Sequence, residues 1–391
     1  MSLTGFCIAK FAPAFRNAAR PALMAAAGCL MAAAAQGQVP ASQSTTAPLA
    51  AASSAPAASW VTVPRLQGRL QAADLGLVIN TADSASVTVG EYYIAARGLK
   101  PEQVLRLSLP VKPTLTREEF ERLRQAIEAF FGPSTQALAL AWAAPYAVEC
   151  NAITGALALG FDAALCSNTC AASRRSGYFN SASTRPLQEP GWRPSMLLAA
   201  PTVEAAKALI DRGVKADGSR VQGRVPAGTA GLATALLLDG PDAARGVRAL
   251  LYPPSGLPPA FKVDLRRAAL SALPGAPRLL LALAGAEHPP LRPAPQWLPG
   301  GLGDHLTSWG GDLQGTHGQS TALDWIASGA TASHGAVSEP CNYLQKFPHP
   351  QLLLLHYLQG ATAIEAYWKS VAWPQQSLFI GEPLAAPFAP R

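Results

Sequence analysis

Charge is scarce in this 391-residue sequence: Asp, Glu, Lys and Arg make up 14% of it, against roughly 25% in an ordinary globular chain. With 49% apolar residues, charge-driven disorder is excluded and a large core is within reach. No collagen-like, heptad or other repeat is present, which excludes fibrous and solenoid architectures. Nucleotide signatures are missing too. Neither Gly-x-Gly-x-x-Gly nor a Lys-Ser/Thr phosphate loop follows an apolar run, so no nucleotide cofactor is expected. No His-Glu-x-x-His pair and no Cys-x-x-Cys-His site occurs, and the expected metal content is none. The net charge is only +7, and no Lys/Arg cluster is interleaved with aromatics, so nucleic acid is excluded as a partner. The densest basic spots, Arg174 with Arg175 and Arg266 with Arg267, read as solvated faces.

What is present begins with an address. Lys10, Arg16 and Arg20 precede an apolar run, Pro21 to Ala35, that exits through small residues. This is the pattern of a secretory signal peptide, assigned to residues 1–37 with cleavage near Ala35 to Gly37. The run is too short to span a hydrocarbon core of roughly 30 Å comfortably. Cys29, behind Ala27 and Gly28, is placed like a lipoprotein cysteine, but Ala26 replaces the usual larger aliphatic residue, which makes lipidation the alternative. An exported protein follows, periplasmic or extracellular, with no membrane span after signal removal. Residues 38–59 are Ala, Ser, Thr, Pro and Gln without charge and read as a disordered linker.

Cys150, Cys166, Cys170 and Cys341 remain after the signal. In an oxidising compartment they are disulfide candidates with three possible connectivities. Residues 60–391 read as a single α/β domain. Short apolar runs at Leu75 to Asn80, Val104 to Leu109, Ala137 to Ala143, Met196 to Ala200, Thr234 to Leu238, Leu279 to Ala284, Ala330 to Ser333 and Ser377 to Ile380 read as strands. Helical patterns fall at Val87 to Arg97, from the Thr116/Glu119 capping box through Phe131, at Thr202 to Arg212, Gln319 to Ser328, and Gln351 to Lys369 with a break at Gly360. Strands apolar on both faces that alternate with helices predict a mainly parallel open sheet with helices on both faces. Residues 166–193, polar and Cys-containing, read as an insertion.

In such a sheet ligands gather where strands end at their carboxyl edge. That rule selects Asn80, Asp83, Tyr146, His334 and Glu339 as a ligand crevice. All six histidines lie between His288 and His356, and Gly300 to Gly311 is Gly-rich and reads as flexible. A hydroxyl nucleophile needs a base in hydrogen-bond reach, so Ser308 with His288, oriented by Asp304, is the candidate acyl-transfer set, with His305 and Glu287 as alternates. No Gly-x-Ser-x-Gly elbow accompanies it. Imidazoles with Asp304 or Glu339 lack compact metal-ligand spacing. Trp297, Trp309, Trp325, Trp368 and Trp373 offer a stacking platform or, at helical spacing, core.

The segments PYAVECNAITGALALGFDAALC (Pro145 to Cys166), WIASGATASHGAVSEPC (Trp325 to Cys341) and YLQGATAIEAYWKSVAWPQQSLFIGEPLAAPF (Tyr357 to Phe388), with Val78 to Gly98, resemble an uncharacterised family of exported bacterial proteins. That resemblance covers nearly all of the mature chain and implies export without an assigned activity. The order of the late strands is similar to that in caspase-like and gingipain-like peptidases, which place a histidine after one strand and a cysteine after the next. Here Thr307 or Ser308 stands at the cysteine position, and His288-Pro289 replaces the expected His-Gly. The likeness therefore implies a shared fold rather than an enzyme. Two functions compete: binding or assembly in the cell envelope, with an envelope protein or polymer as partner, and hydrolysis of a peptide or ester bond.

Overall fold

The computed structural model describes residues 64, 66–221, 232–253 and 262–390. The signal segment 1–37 with Cys29 and the linker 38–59 lie outside the described residues. The chain begins with β1 (Leu75–Asn80), α1 (Ser84–Arg97), β2 (Val104–Leu107), β3 (Thr114–Leu115), α2 (Arg117–Phe130), β4 (Ala137–Leu140), β5 (Ala147–Val148), β6 (Asn151–Ala152), α3 (Ile153–Leu159), α4 (Ala163–Ser167), β7 (Ser195–Leu197) and α5 (Val203–Ala216). It continues through β8 (Ala233–Asp239), β9 (Val263–Ala269), β10 (Leu279–Gly285), β11 (Trp297–Leu306), α6 (Ala322–Ala327), β12 (Ala332–Ala336), α7 (Pro350–Leu358), α8 (Ala363–Ser370) and β13 (Ser377–Gly381).

Ten strands form one sheet in the order β2-β1-β4-β7-β13-β12-β11-β10-β8-β9, and β3, β5 and β6 form a small second one. The expected class, α/β with a large, mainly parallel sheet flanked by helices, is what the molecule has. β1 lies parallel to β2 and β4, β8 to β9 and β10, and β11 to β10 and β12. β13 runs antiparallel to β12, with Ala332 opposite Gly381. Each half is wound alike: β1 then outward to β2 before β4 returns inward, and β8 then outward to β9 before β10 returns inward.

A one-residue bridge of parallel type, Ile380 to Leu197, joins β13 to β7. It is too short to define a direction, and contacts across the seam fix which ends share a rim. Tyr146, after β4, donates its hydroxyl to Asp312, after β11, at 2.7 Å. Ser338, after β12, donates to the Cys150 carbonyl at 2.7 Å. At the opposite rim Arg97, ending α1, meets Glu382, and Arg212, near the end of α5, donates to the Ala330 carbonyl. The carboxyl ends of β4, β11 and β12 therefore open on one side of the molecule.

Alternation along the strands sends successive side chains to opposite faces. Leu77, Ile79, Leu302 and Phe379 pack with α1, α5, α7 and α8. Val78, Leu138, Leu140 and Ile380 pack with α2, α3 and α6. β1, β4, β7, β10, β12 and β13 are buried along their whole length, as the continuous apolar runs require. The predicted capping box is present, with Thr116 and Glu119 each bonding the other's backbone N–H.

Two strands of the large sheet depart from the sequence reading, which also did not list β3, β5 and β6 of the small one. β11 occupies the segment read as Gly-rich and flexible, and its glycines are packing devices. A Cβ on Gly303 would stand 2.5 Å from the Trp325 ring, and one on Gly301 2.5 Å from Trp297. β9 is an edge strand carrying Arg266 and Arg267, both paired to aspartates on the surface, so its charges hide it from a search for apolar runs. The insertion 166–193 leaves the sheet after α4 and lies over the end of α8: the backbone N–H groups of Ser176 and Asn180 donate to the carbonyls of Ala372 and Lys369. Two disulfides tie it down, Cys150–Cys166 and Cys170–Cys341, which settles the connectivity left open by spacing.

Candidate functional site

Ser308, His288 and Asp304 do not form a hydrogen-bonded set. Asp304 and His305 are neighbours in β11 and point to opposite faces. Asp304, fully buried, pairs with the equally buried Arg248 from the 3-10 turn Arg245–Leu251. Burial opposes the Arg248 charge, and the Asp304 carboxylate more than restores it. Asp304 is committed to that pair and faces away from His305. His288 is exposed, and its Nδ1 lies 3.4 Å from the Ser320 hydroxyl. Ser308 makes no side-chain hydrogen bond among the described residues. The neighbouring Thr307 hydroxyl accepts from Arg245 Nε and donates to Gln319.

Three other histidines are interior groups. His305 donates from Nε2 to the Ser320 carbonyl at 3.0 Å and accepts at Nδ1 from the Trp325 indole at 2.8 Å. That network assigns its neutral tautomer, and burial lowers its pKa to about 3. His356 is buried beside Asn180 and lowered to about 3 by burial and by Lys369. His334, in β12, is 0% exposed, and neither ring nitrogen has a partner. Burial holds it well below the usual range.

The remaining crevice residues hold the rim together. Asn80 is buried and clamps Leu109, accepting from its N–H and donating to its carbonyl. Asp83 is the N-cap of α1, accepting from Ala85 N–H at 2.9 Å. Glu339 accepts from Cys341 N–H at 2.7 Å. Tyr146 is spent on Asp312, and burial and that carboxylate raise its phenol pKa.

The loop after β11 holds a pair that the sequence reading did not single out. Asp312 Oδ2 lies 2.8 Å from His317 Nδ1 and accepts from Thr316 N–H and hydroxyl at 2.8 and 2.6 Å. The Trp309 ring stacks on the imidazole, centroids 3.7 Å apart and planes 1° apart. Burial pushes the Asp312 pKa up, but the hydrogen bonds from Thr316, Tyr146 and His317 outweigh it and hold it at about 2. The available signal was an aspartate five residues before a histidine in a loop leaving a strand, too common a spacing to act on.

A second feature is a pocket of about 510 Å³ between the insertion, the 3-10 turn Arg245–Leu251, and the chain that leaves β12 and enters β13. Phe179, Leu251, Leu344, Ala372 and Trp373 supply apolar walls, and Arg175 and His349 supply polar groups. Arg175 lies over the Phe179 ring at 5.8 Å and has no carboxylate partner among the described residues. His349 Nδ1 is buried without a hydrogen-bond partner, and burial lowers the pKa of the ring. Sequence reasoning reached Trp373 as a stacking residue and read Arg175 as part of a solvated face, and Arg175 is indeed exposed, at the edge of the pocket. The pocket lies between segments distant in the chain, and the Cys170–Cys341 bridge, with a sequence separation of 171, ties two of them together.

Among the described residues no group of three or more His, Cys, Asp or Glu is arranged to hold a metal ion, and no helix is long and apolar enough to cross a membrane. No protein-family model, curated protein or solved structure matches the chain.

Proposed function

We propose that the protein is exported to the periplasm or cell surface and binds a small amphipathic anion, free or as the end group of an envelope polymer, in the pocket bounded by Arg175, His349 and Trp373. The observation that carries this reading is an apolar-walled cleft of about 510 Å³ edged by the exposed Arg175 guanidinium and by the His349 imidazole, whose Nδ1 is buried without a partner. Ligand sites have that composition: apolar walls for affinity and a few placed polar groups for orientation. The guanidinium favours a carboxylate or sulfonate head. The two disulfides support export, since such bridges persist in oxidising compartments.

Isothermal titration with 2-naphthoate, an aromatic ring carrying one carboxylate, tests the proposal. Saturable one-to-one binding is expected, abolished by Ala372→Phe, which fills the cavity, and weakened roughly 10-fold by Arg175→Gln. Absence of binding, or binding indifferent to Ala372→Phe, refutes it. The mass of the mature protein distinguishes cleavage near Ala35 to Gly37 from a lipid on Cys29.

A further inference from the structure

We infer that His317 is an acid–base catalytic residue for hydrolysis of a carboxylic ester, with water as the nucleophile and Asp312 as its positioning residue. The inference is independent of the pocket and rests on how the rim loop after β11 is built. The Asp312 side chain is 5% exposed while that of His317 is 42% exposed. An ionised carboxylate can only accept, so the 2.8 Å contact requires the proton on His317 Nδ1. The basic lone pair is then on Nε2, which makes no hydrogen bond among the described residues. Trp309 stacked on the ring, and Tyr146 and Thr316 bound to the carboxylate, fix both partners in place.

The other histidines do not share this arrangement. His305 has both nitrogens satisfied inside the protein, His334 and His356 are 0% exposed, and His349 has a buried Nδ1 with no carboxylate on it. His288 is exposed, but its contact is the Ser320 hydroxyl, not a carboxylate. An imidazole held by a buried carboxylate, with its second nitrogen presented outward, is the base half of a hydrolytic site. No side-chain hydroxyl is bonded to Nε2, so the nucleophile assigned is water.

The step balances without a co-reactant. Nε2 takes one proton from water as the water oxygen bonds to the ester carbonyl carbon. The tetrahedral adduct collapses, the bond from carbon to the alcohol oxygen breaks, and Nε2–H returns the proton to the departing alkoxide. Acid and alcohol leave and the base is restored. Esters suit this device because a single imidazole supplies all the proton transfer their leaving group needs.

The test uses the mature protein with intact disulfides and 4-nitrophenyl acetate, whose phenolate leaves unprotonated while the imidazolium proton goes to solvent. His317→Ala is expected to lower kcat/KM about 100-fold. Asp312→Asn should lower it as well and shift the pH profile, because the carboxamide no longer enforces the tautomer. Nitrogen NMR of the wild-type imidazole provides a measurement that needs no variant to fold. His317 with its proton on Nε2 at neutral pH overturns the inference, as does a rate unchanged by His317→Ala or a rate lost instead in His288→Ala.

Discussion

Lowering the pH from about 7.5 to about 5 isolates the buried histidines and should remove a large part of this protein's stability. His305, His334 and His356 are at most 1% exposed, and His305 and His356 titrate only near about 3 when folded. In the unfolded chain the ordinary value is 6.5. The unfolded state therefore binds protons that the folded rings refuse. Stability is complete above pH 6.5 and falls as the pH drops toward the folded values. At about pH 5 each such histidine costs RT ln(1 + 10^1.5), roughly 2 kcal/mol, so the three together cost about 6 kcal/mol of a total typically about 5–15. The result does not depend on how far below 5 the folded values lie, because the rings need only stay neutral at that pH.

Two further groups modify the drop: His349, also lowered by burial, adds to it, and Asp304, raised by burial, opposes it. Lys346, lowered to about 8 by burial, is already mostly protonated at about pH 7.5 and changes the balance by only a few tenths of a kcal/mol across the window. Asp312, depressed from 3.8 to about 2, has its stabilisation intact and loses it only below pH ~4. Urea unfolding of the oxidised protein at the two pH values reads the effect. With a slope of roughly 3 kcal/mol/M the midpoint should fall by about 2 M. His334→Leu, which removes a ring with both nitrogens unpartnered, should abolish about a third of the drop. Identical midpoints at both pH values would refute the reasoning, as would a His334→Leu variant with the full wild-type response.

Two further expectations follow from buried charge and from cross-linking. Arg248→Met leaves Asp304 charged in an interior where one of its oxygens already lacks a partner, and should cost roughly 3–5 kcal/mol. The double variant Arg248→Met/Asp304→Leu should recover most of it, and a double variant no more stable than the single one contradicts this account. The Cys170–Cys341 bridge spans 171 residues and Cys150–Cys166 spans 16, so chain entropy assigns them about 5 and about 3 kcal/mol. Denaturant midpoints of the paired Cys→Ser variants should keep that order, and the reverse order would show that strain or residual structure dominates.

The strand and helix pattern of this fold was legible because the central strands are buried on both faces and read as continuous apolar runs. The limits of β1 coincide with the run Leu75 to Asn80, and the Thr116/Glu119 box marks the start of α2. β11 was not legible, because Gly300, Gly301 and Gly303 resemble a loop until the Trp297 and Trp325 rings are seen standing over them. The candidate site was less legible still. His305 and Asp304 adjoin in sequence, yet the period of two along a strand sends one to Trp325 and the other to Arg248. Nothing local distinguishes His317 from His288. Only the packing of Tyr146 and Thr316 around Asp312 does so.

By itself the sequence determined most of the elements and the supply of cysteines, since each depends on residues near one another along the chain. The tertiary structure decided which cysteines join, which histidines lie inside, and which one faces out on a carboxylate. Those outcomes depend on contacts between segments as far apart as Cys170 and Cys341 or Tyr146 and Asp312. Burial and partner, not residue type, set the chemistry of an ionisable group, and both come into being only when such segments meet.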